Sequence, residues 1–286
     1  MTDDSSAVVE SALSQLNDIA TLPEIARAVM AAADNPDTSA DDVEQLVSSD
    51  AVLAARVLKV VNSSFYGMPG EVGSIHQAVV MLGLSAVKNI AIAASLGKLF
   101  RGTTIHDFFD ARELWQHSTA VACASRMIAK QIGYDPEQAF LAGMLHKMGL
   151  VVEMQFAPEK LGEVIDRLFE SGGGNLLDIE REIIGATHEE FGRAFCHKWQ
   201  FPDVLQEAVG AHHAPLTLQG EARKLACIIC VSNYLSDAAG VGYIGTVNGE
   251  MPPPDLLNEL GVSGDTVDEI VAELPAAIKL AGHLIK

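Results

Sequence analysis

The chain has 286 residues, 38 acidic against 19 basic, a formal net charge of −19, and 49% hydrophobic residues. That length and apolar content suit one large or two modest globular domains and exclude a disordered chain. The negative balance repels phosphate backbones and anionic lipid, so neither nucleic-acid nor membrane binding is expected.

Helical periodicity runs from end to end. A short first helix is expected from Val8 to Leu16. Leu22, Ile25 and Val29 begin the next, with Pro23 near its start, and Asp34-Asn35-Pro36 ends it. Thr38 or Ser39 caps the following turn, with Asp41 or Asp42 at the third position. Asp50 caps a periodic helix through Leu53, Val57 and Val61, and Asn62 to Gly70 is a loop of turn formers around Phe65 and Tyr66. Ser74 and Gln77 mark another start, Gly83 a stop, and Ser85 the start of a helix through Ile90 and Ala94. Within the apolar window from Ala78 to Gly97, Gly83, Ser85, Lys88 and Asn89 point to two buried helices rather than a membrane span. The Arg101-Gly-Thr-Thr104 stretch is the expected boundary, dividing 15–105 from 106–286.

From about Asp107 a longer helix carries Leu114, His117, Val121 and Ile128, and Gly133 ends it. Asp135-Pro136 opens the next element. Its stretch Leu141-Ala-Gly-Met-Leu-His-Lys-Met-Gly-Leu150 reads as a buried helix that carries His146 and Lys147 into apolar surroundings. Pro158 starts a helix with Leu161, Val164, Ile165 and Leu168 on one side, and Ser171-Gly-Gly-Gly174 is a loop. Thr187 and Glu190 form the capping box of a helix through Trp199. Pro202 opens a helix ending at His212-His213, and Leu225, Ile228, Ile229 and Leu235 mark another. Gly240 to Pro254 is a long loop, and Asp265 caps a last helix that Pro275 kinks or breaks. No strand period and no internal repeat stands out. The class is all-α.

Cys123, Cys196, Cys227 and Cys230 lie in apolar helical patterns, as reduced core thiols do in a cytoplasmic protein. Cys227-Ile-Ile-Cys230 stands alone, without the second pair that a zinc site needs. The acidic N-terminus lacks the basic region of a signal peptide. Neither a P-loop, a dinucleotide-binding fingerprint nor a nucleophile elbow occurs.

His117, His146, His188, His212 and His213 lie on or at the ends of separate expected helices, each near an apolar stripe. Converging neutral imidazoles bind Zn, Fe, Mn or Ni once carboxylates complete the shell. Isolated, the same residues are ordinary core histidines paired with backbone or with one another. Spacing alone leaves both readings open.

His117, then His146-Lys147, then His188-Glu-Glu-Phe-Gly192, then His212-His213 resembles the histidine series of the HD superfamily of metal-dependent phosphohydrolases. The first half resembles one branch of it, the HDOD (HD-related output) domain. The matching stretches are Leu22-Pro-Glu-Ile25, Asp50 to Leu58, Val61-Asn-Ser-Ser-Phe-Tyr-Gly67 and Ser74 to Gly83. The resemblance covers about residues 15 to 240 and implies an N-terminal helical bundle (15–105) packed on a C-terminal HD-like bundle (106–286). It also implies a bacterial signalling module linked with response regulators or cyclic-di-GMP enzymes.

Two departures weigh against catalysis. The aspartate that follows the second histidine in catalytic HD enzymes is here Lys147, and their last aspartate falls near Asn233. A protonated lysine does not ligate a divalent ion, and an amide is a poor substitute for a carboxylate. The resemblance therefore implies no catalytic residue and no bound metal, the alternative being Mn, Fe or Zn at the histidines. The expected ligand pocket is His117, His146, Lys147, His188, His212, His213 and Asn233, with the Lys147 ammonium in the metal's place, held by Asn233 and backbone carbonyls.

Overall fold

The computed structural model describes residues 3–16, 24–33, 35, 37–63, 65–97, 99–100, 110–170, 174–241 and 252–281. The fold is all-α, with no strand among these residues. No helix among them is long and apolar enough to cross a membrane. Leu22, Pro23, Asp34, Pro36, Ser64, the Arg101–Thr104 boundary, Asp107, Ser171 to Gly173 and most of the loop after Gly240 lie outside the described residues. The chain divides into two compact units, Leu22–Lys98 with Pro275–Lys286, and Met1–Thr21 with Leu99–Leu274.

The smaller unit is built from α2 (Glu24–Ala33), α3 (Ala40–Ser48), α4 (Ala51–Val61), α5 (Ile75–Leu82) and α6 (Leu84–Leu96). Ser39 and Asp42 close a full capping box on α3, and the Asp50 carboxylate accepts from Val52 N and Leu53 N to start α4. Ser74 accepts from Gln77 N, but the Gln77 side chain turns to Gly73 N rather than completing a box. Gly83, at φ 88°, ends α5 and directly precedes α6, so α6 begins one residue before the serine expected to start it. Val43, Val47, Val57, Ile75 and Ile90 form the buried seam.

Asn62 ends α4 and also closes the loop behind it. Its side chain accepts from Val72 N at 2.6 Å and donates to Val72 O at 2.8 Å. The loop is thereby tied into a ring, with Tyr66 buried edge-on against Phe65. Asn62→Ala removes both bonds, and a loss of about 1–2 kcal/mol in urea unfolding is expected. An unchanged midpoint would mean that the loop is held by its aromatics alone.

The larger unit holds α1 (Asp3–Gln15), α7 (Ala111–Ile132), α8 (Pro136–Leu145), α9 (Met148–Phe156), α10 (Pro158–Glu170), α11 (Leu176–Ile183) and α12 (His188–Lys198). It continues with α13 (Asp203–Val209), a 3₁₀ turn (Pro215–Thr217), α14 (Gly220–Ala238) and α15 (Pro254–Leu260). Last comes α16 (Gly264–Ala281), which continues through Pro275 instead of breaking there; its residues to Leu274 belong to this unit and the rest to the smaller one. Helix α7 packs on α8 and α14, α9 on α12, and α1 on α9 and α12. The α7–α8 contact is backbone-close, since a Cβ on Gly143 would stand 2.6 Å from Ala122 Cα. The buried Ser125 and Ser232 hydroxyls join α7 to α14 at 3.0 Å.

The Leu141–Leu150 stretch is not one helix. It breaks at His146 and Lys147, which form the turn between α8 and α9. The His146 ring bonds back to Gly143 O at 2.7 Å, satisfying a carbonyl at the end of α8. The side-chain periodicity runs on across the turn, so the apolar pattern could not reveal it. In the same way α13 ends at Val209, and His212 and His213 lie in the turn beyond.

Candidate functional site

Four helix ends deliver His146, Lys147, His188, His212 and His213, and the interiors of α7 and α14 deliver His117 and Asn233. The Thr187–Glu190 capping box starts α12 so that His188 is its first residue. The free amide of His188 donates to Glu180 Oε2 at 2.9 Å, and its ring Nδ1 lies 2.8 Å from Glu180 Oε1. The Glu180 carboxyl, raised by burial to about 8, thus meets both the amide that opens α12 and the imidazole, which it orients. Past α13, His212 Nδ1 bonds Val209 O at 2.8 Å, and His213 N donates to Glu189 Oε1 at 2.8 Å. Nδ1 of His146, His188 and His212 faces a carbonyl or carboxylate, so in the neutral rings it carries the proton and Nε2 is a bare acceptor.

Lys147 meets two of these acceptors, those of His188 and His212, together with Nε2 of His213. Its Nζ lies 3.0 Å from His188 Nε2, 3.2 Å from His212 Nε2 and 2.9 Å from His213 Nε2. The expected holders of this ammonium, Asn233 and backbone carbonyls, are replaced by three imidazoles. Lys147, His146 and His188 are fully buried, and His117, His212 and Asn233 nearly so. Burial lowers Lys147 to about 8, and nearby acidic groups, Glu180 first, oppose that shift. Burial and then the Lys147 charge hold His117 down to about 3, and burial keeps His146, His188, His212 and His213 well below the usual imidazole range.

His117 and His146 pack together, ring centroids 5.4 Å apart, and His146 meets His212 at 5.2 Å. All five histidines and Lys147 therefore belong to one chain of contacts. Asn233, on α14, sits beside His117, whose titration its side chain affects. His117 Nε2, His146 Nε2 and Asn233 Oδ1 are buried without a hydrogen-bond partner among the described residues.

Three acids of this neighbourhood escaped the reading of the sequence. Glu180 follows the α11 stripe, one turn after Leu176 and next to Ile179, a carboxylate where an apolar residue belongs. That misplacement was the available signal. Glu189 adjoins the capping box, and Glu153, fully buried on α9, has both oxygens unpartnered among the described residues. Burial pushes Glu153 well above the usual carboxylate range and Glu189 up to about 7. All four cysteines are buried free thiols, and burial raises Cys227 to about 11 and Cys230 to about 12, so neither is a thiolate at neutral pH.

A hard divalent ion does not fit the donors that the HD resemblance assigns to it. The five imidazoles and Asn233 are all neutral donors, Lys147 supplies a cation where the resemblance expects an aspartate, and Glu180 and Glu189 hold the outer edges of histidines.

The HDOD domain matches residues 19–215. A solved HDOD domain protein of unknown function from Geobacter sulfurreducens superposes with a TM-score of 0.80 at 23% identity, covering 99% of this chain and 98% of that one. A protein from Marinobacter aquaeolei assigned to signal transduction superposes at 0.77 with 25% identity, covering 99% of this chain and 66% of that one. Among curated relatives, an uncharacterized protein from Treponema pallidum is 27% identical over 70% of this chain and 38% of its own length. A ribonuclease Y from Chlorobaculum tepidum is 24% identical over 72% of this chain and 32% of its own length. The chain thus spans about a third of the length of these curated relatives.

Proposed function

Because the chain belongs to the HDOD domain family, related to the HD phosphohydrolases, we propose that it is a non-catalytic signal-transduction module that acts by binding a protein or small ligand. One observation carries this reading. Where metal-assisted hydrolysis needs carboxylates to hold and charge-balance the ion, the chain has Lys147 and Asn233, and an ammonium stands among the imidazoles. The proposed partners are signalling proteins such as response regulators or cyclic-di-GMP enzymes in a bacterial cytoplasm. The likeness to the Marinobacter aquaeolei protein assigned to signal transduction supports that class of partner.

A second reading has its own support. Nε2 of His188, His212 and His213 converge to within 4.8 Å of one another, as the ligands of an altered phosphohydrolase would. Elemental analysis of the purified protein, with assays on a generic phosphodiester and cyclic dinucleotides in added Mn²⁺, separates the two. The expected result is well under one equivalent of Mn, Fe or Zn and no turnover. Turnover that disappears in His146→Ala would replace the binding module with the hydrolase.

A further inference from the structure

The histidines offer two different donor sets. His117, His146 and Asn233 have buried atoms without a partner among the described residues. His188, His212 and His213 form a tighter set, and the Lys147 ammonium lies against all three. His188 Nε2 and His213 Nε2 are only 3.2 Å apart. Ligands of a tetrahedral zinc at about 2.0–2.1 Å stand about 3.3 Å from one another, so this pair already has the spacing of a metal's ligands. With Nδ1 of His188 protonated against Glu180, His188 Nε2 is an acceptor, and the proton facing it comes from Lys147 Nζ or His213 Nε2.

We propose that Lys147 is a resident cation that fills a latent zinc site formed by His188, His212 and His213, and that this tethered ammonium keeps metal out. The outer contacts match those of ligating histidines. The Glu180 carboxylate holds His188, Val209 O holds His212, and Glu189 holds the His213 backbone. A zinc ion bound to these three nitrogens would lie within about 3 Å of Nζ, where two cations cannot both stay. The tethered charge has two advantages over an ion. It needs no metal supply, and it pays no translational entropy on binding.

The inference rests on the non-catalytic reading. Zinc titration calorimetry and thermal melts would compare wild type, Lys147→Ala, Lys147→Ala/His213→Ala and Lys147→Ala/His117→Ala. Wild type is expected to bind no zinc and to melt alike in zinc and in EDTA. Lys147→Ala should bind one equivalent, on the order of 100-fold tighter than wild type or better. Its melting temperature should rise by about 5–10 °C in a hundredfold excess over Kd. Adding His213→Ala should abolish the gain, and adding His117→Ala should leave it. If Lys147→Ala does not fold alone, recovery on refolding in zinc but not in EDTA supports the proposal, and equal failure in both overturns it.

Zinc held by wild type overturns it too, as does a gain that depends on His117. Turnover by wild type would sink both this and the binding-module reading. A metal-free, inert wild type with a Lys147→Ala variant indifferent to zinc would sink this inference alone.

Discussion

Gly149→Ala is expected to destabilise the protein by about 3 kcal/mol or more and to disorder the histidine cluster, because a methyl group there has nowhere to go. A Cβ on Gly149 would overlap the His188 carbonyl oxygen and stand 2.6 Å from its carbonyl carbon and 2.8 Å from its Cα. These are backbone atoms at the first residue of α12, so no rotamer change relieves the clash. The only escape is to separate α9 from α12, which carries His188 away from Lys147. Gly162 supplies the control. It also lies inside a helix, α10, but a Cβ there would meet nothing within 4 Å. Gly162→Ala should therefore stabilise by about 0.5–1 kcal/mol through helix propensity. Urea denaturation of the two variants should move in opposite directions. Two small shifts of the same sign would show that the α9–α12 contact is looser than the structure has it.

Stability should fall steeply as the pH drops from about 6.5 to 5. His117, His146, His188, His212 and His213 are all held below their ordinary range by burial. The unfolded chain takes up protons on these rings as the pH falls through about 6.5, while the folded chain does not, so acid favours unfolding. The carboxyls oppose this. Burial raises Glu153, Glu180 and Glu189, so the folded state binds protons that the unfolded state has released above about 4.5, and their contribution to stability is lost as the pH rises. At about pH 6.5 the half-protonated imidazoles of the unfolded chain and the three carboxyls of the folded one nearly balance, and the net uptake on unfolding grows to about two protons by pH 5. At about 1.4 kcal/mol per proton and pH unit, the slope steepens to roughly 3 kcal/mol per pH unit near pH 5. From pH 8 down to 6.5 the carboxyls dominate, so the maximum should lie near neutrality. Urea midpoints from pH 5 to 8 test the sign. A flat profile between 7 and 5 would mean that water reaches the histidines.

Local signals in the sequence were sufficient for most helix starts. Ser39, Asp50, Asp135 and Thr187 each accept from the backbone amides of the helix that follows, because a capping interaction spans only two or three residues. The resemblance to the HDOD family was likewise readable from short stretches, and the family match over 19–215 agrees with it. The break at His146-Lys147 was not readable. An apolar pattern reports which face is buried, not whether the backbone turns between two buried turns of helix. Nor could Gly149 be told from Gly162, since the difference lies in what another helix brings against each.

The histidines were legible as a set, because each sits near an apolar stripe on or at the end of an expected helix. The sequence by itself determined an all-α fold, and through the resemblance it singled out Lys147 and Asn233 at the two positions where an aspartate was expected. Only the tertiary structure decided which histidines the lysine meets. His188, His212 and His213 come from the start of α12 and the turn after α13, and Lys147 from the break between α8 and α9. Their distances depend on how closely α9 packs against α12, and so on Gly149 and the His188 backbone, which are 39 positions apart in the chain. A side chain's partner across such a separation is set by packing, and packing leaves no periodic mark in the sequence.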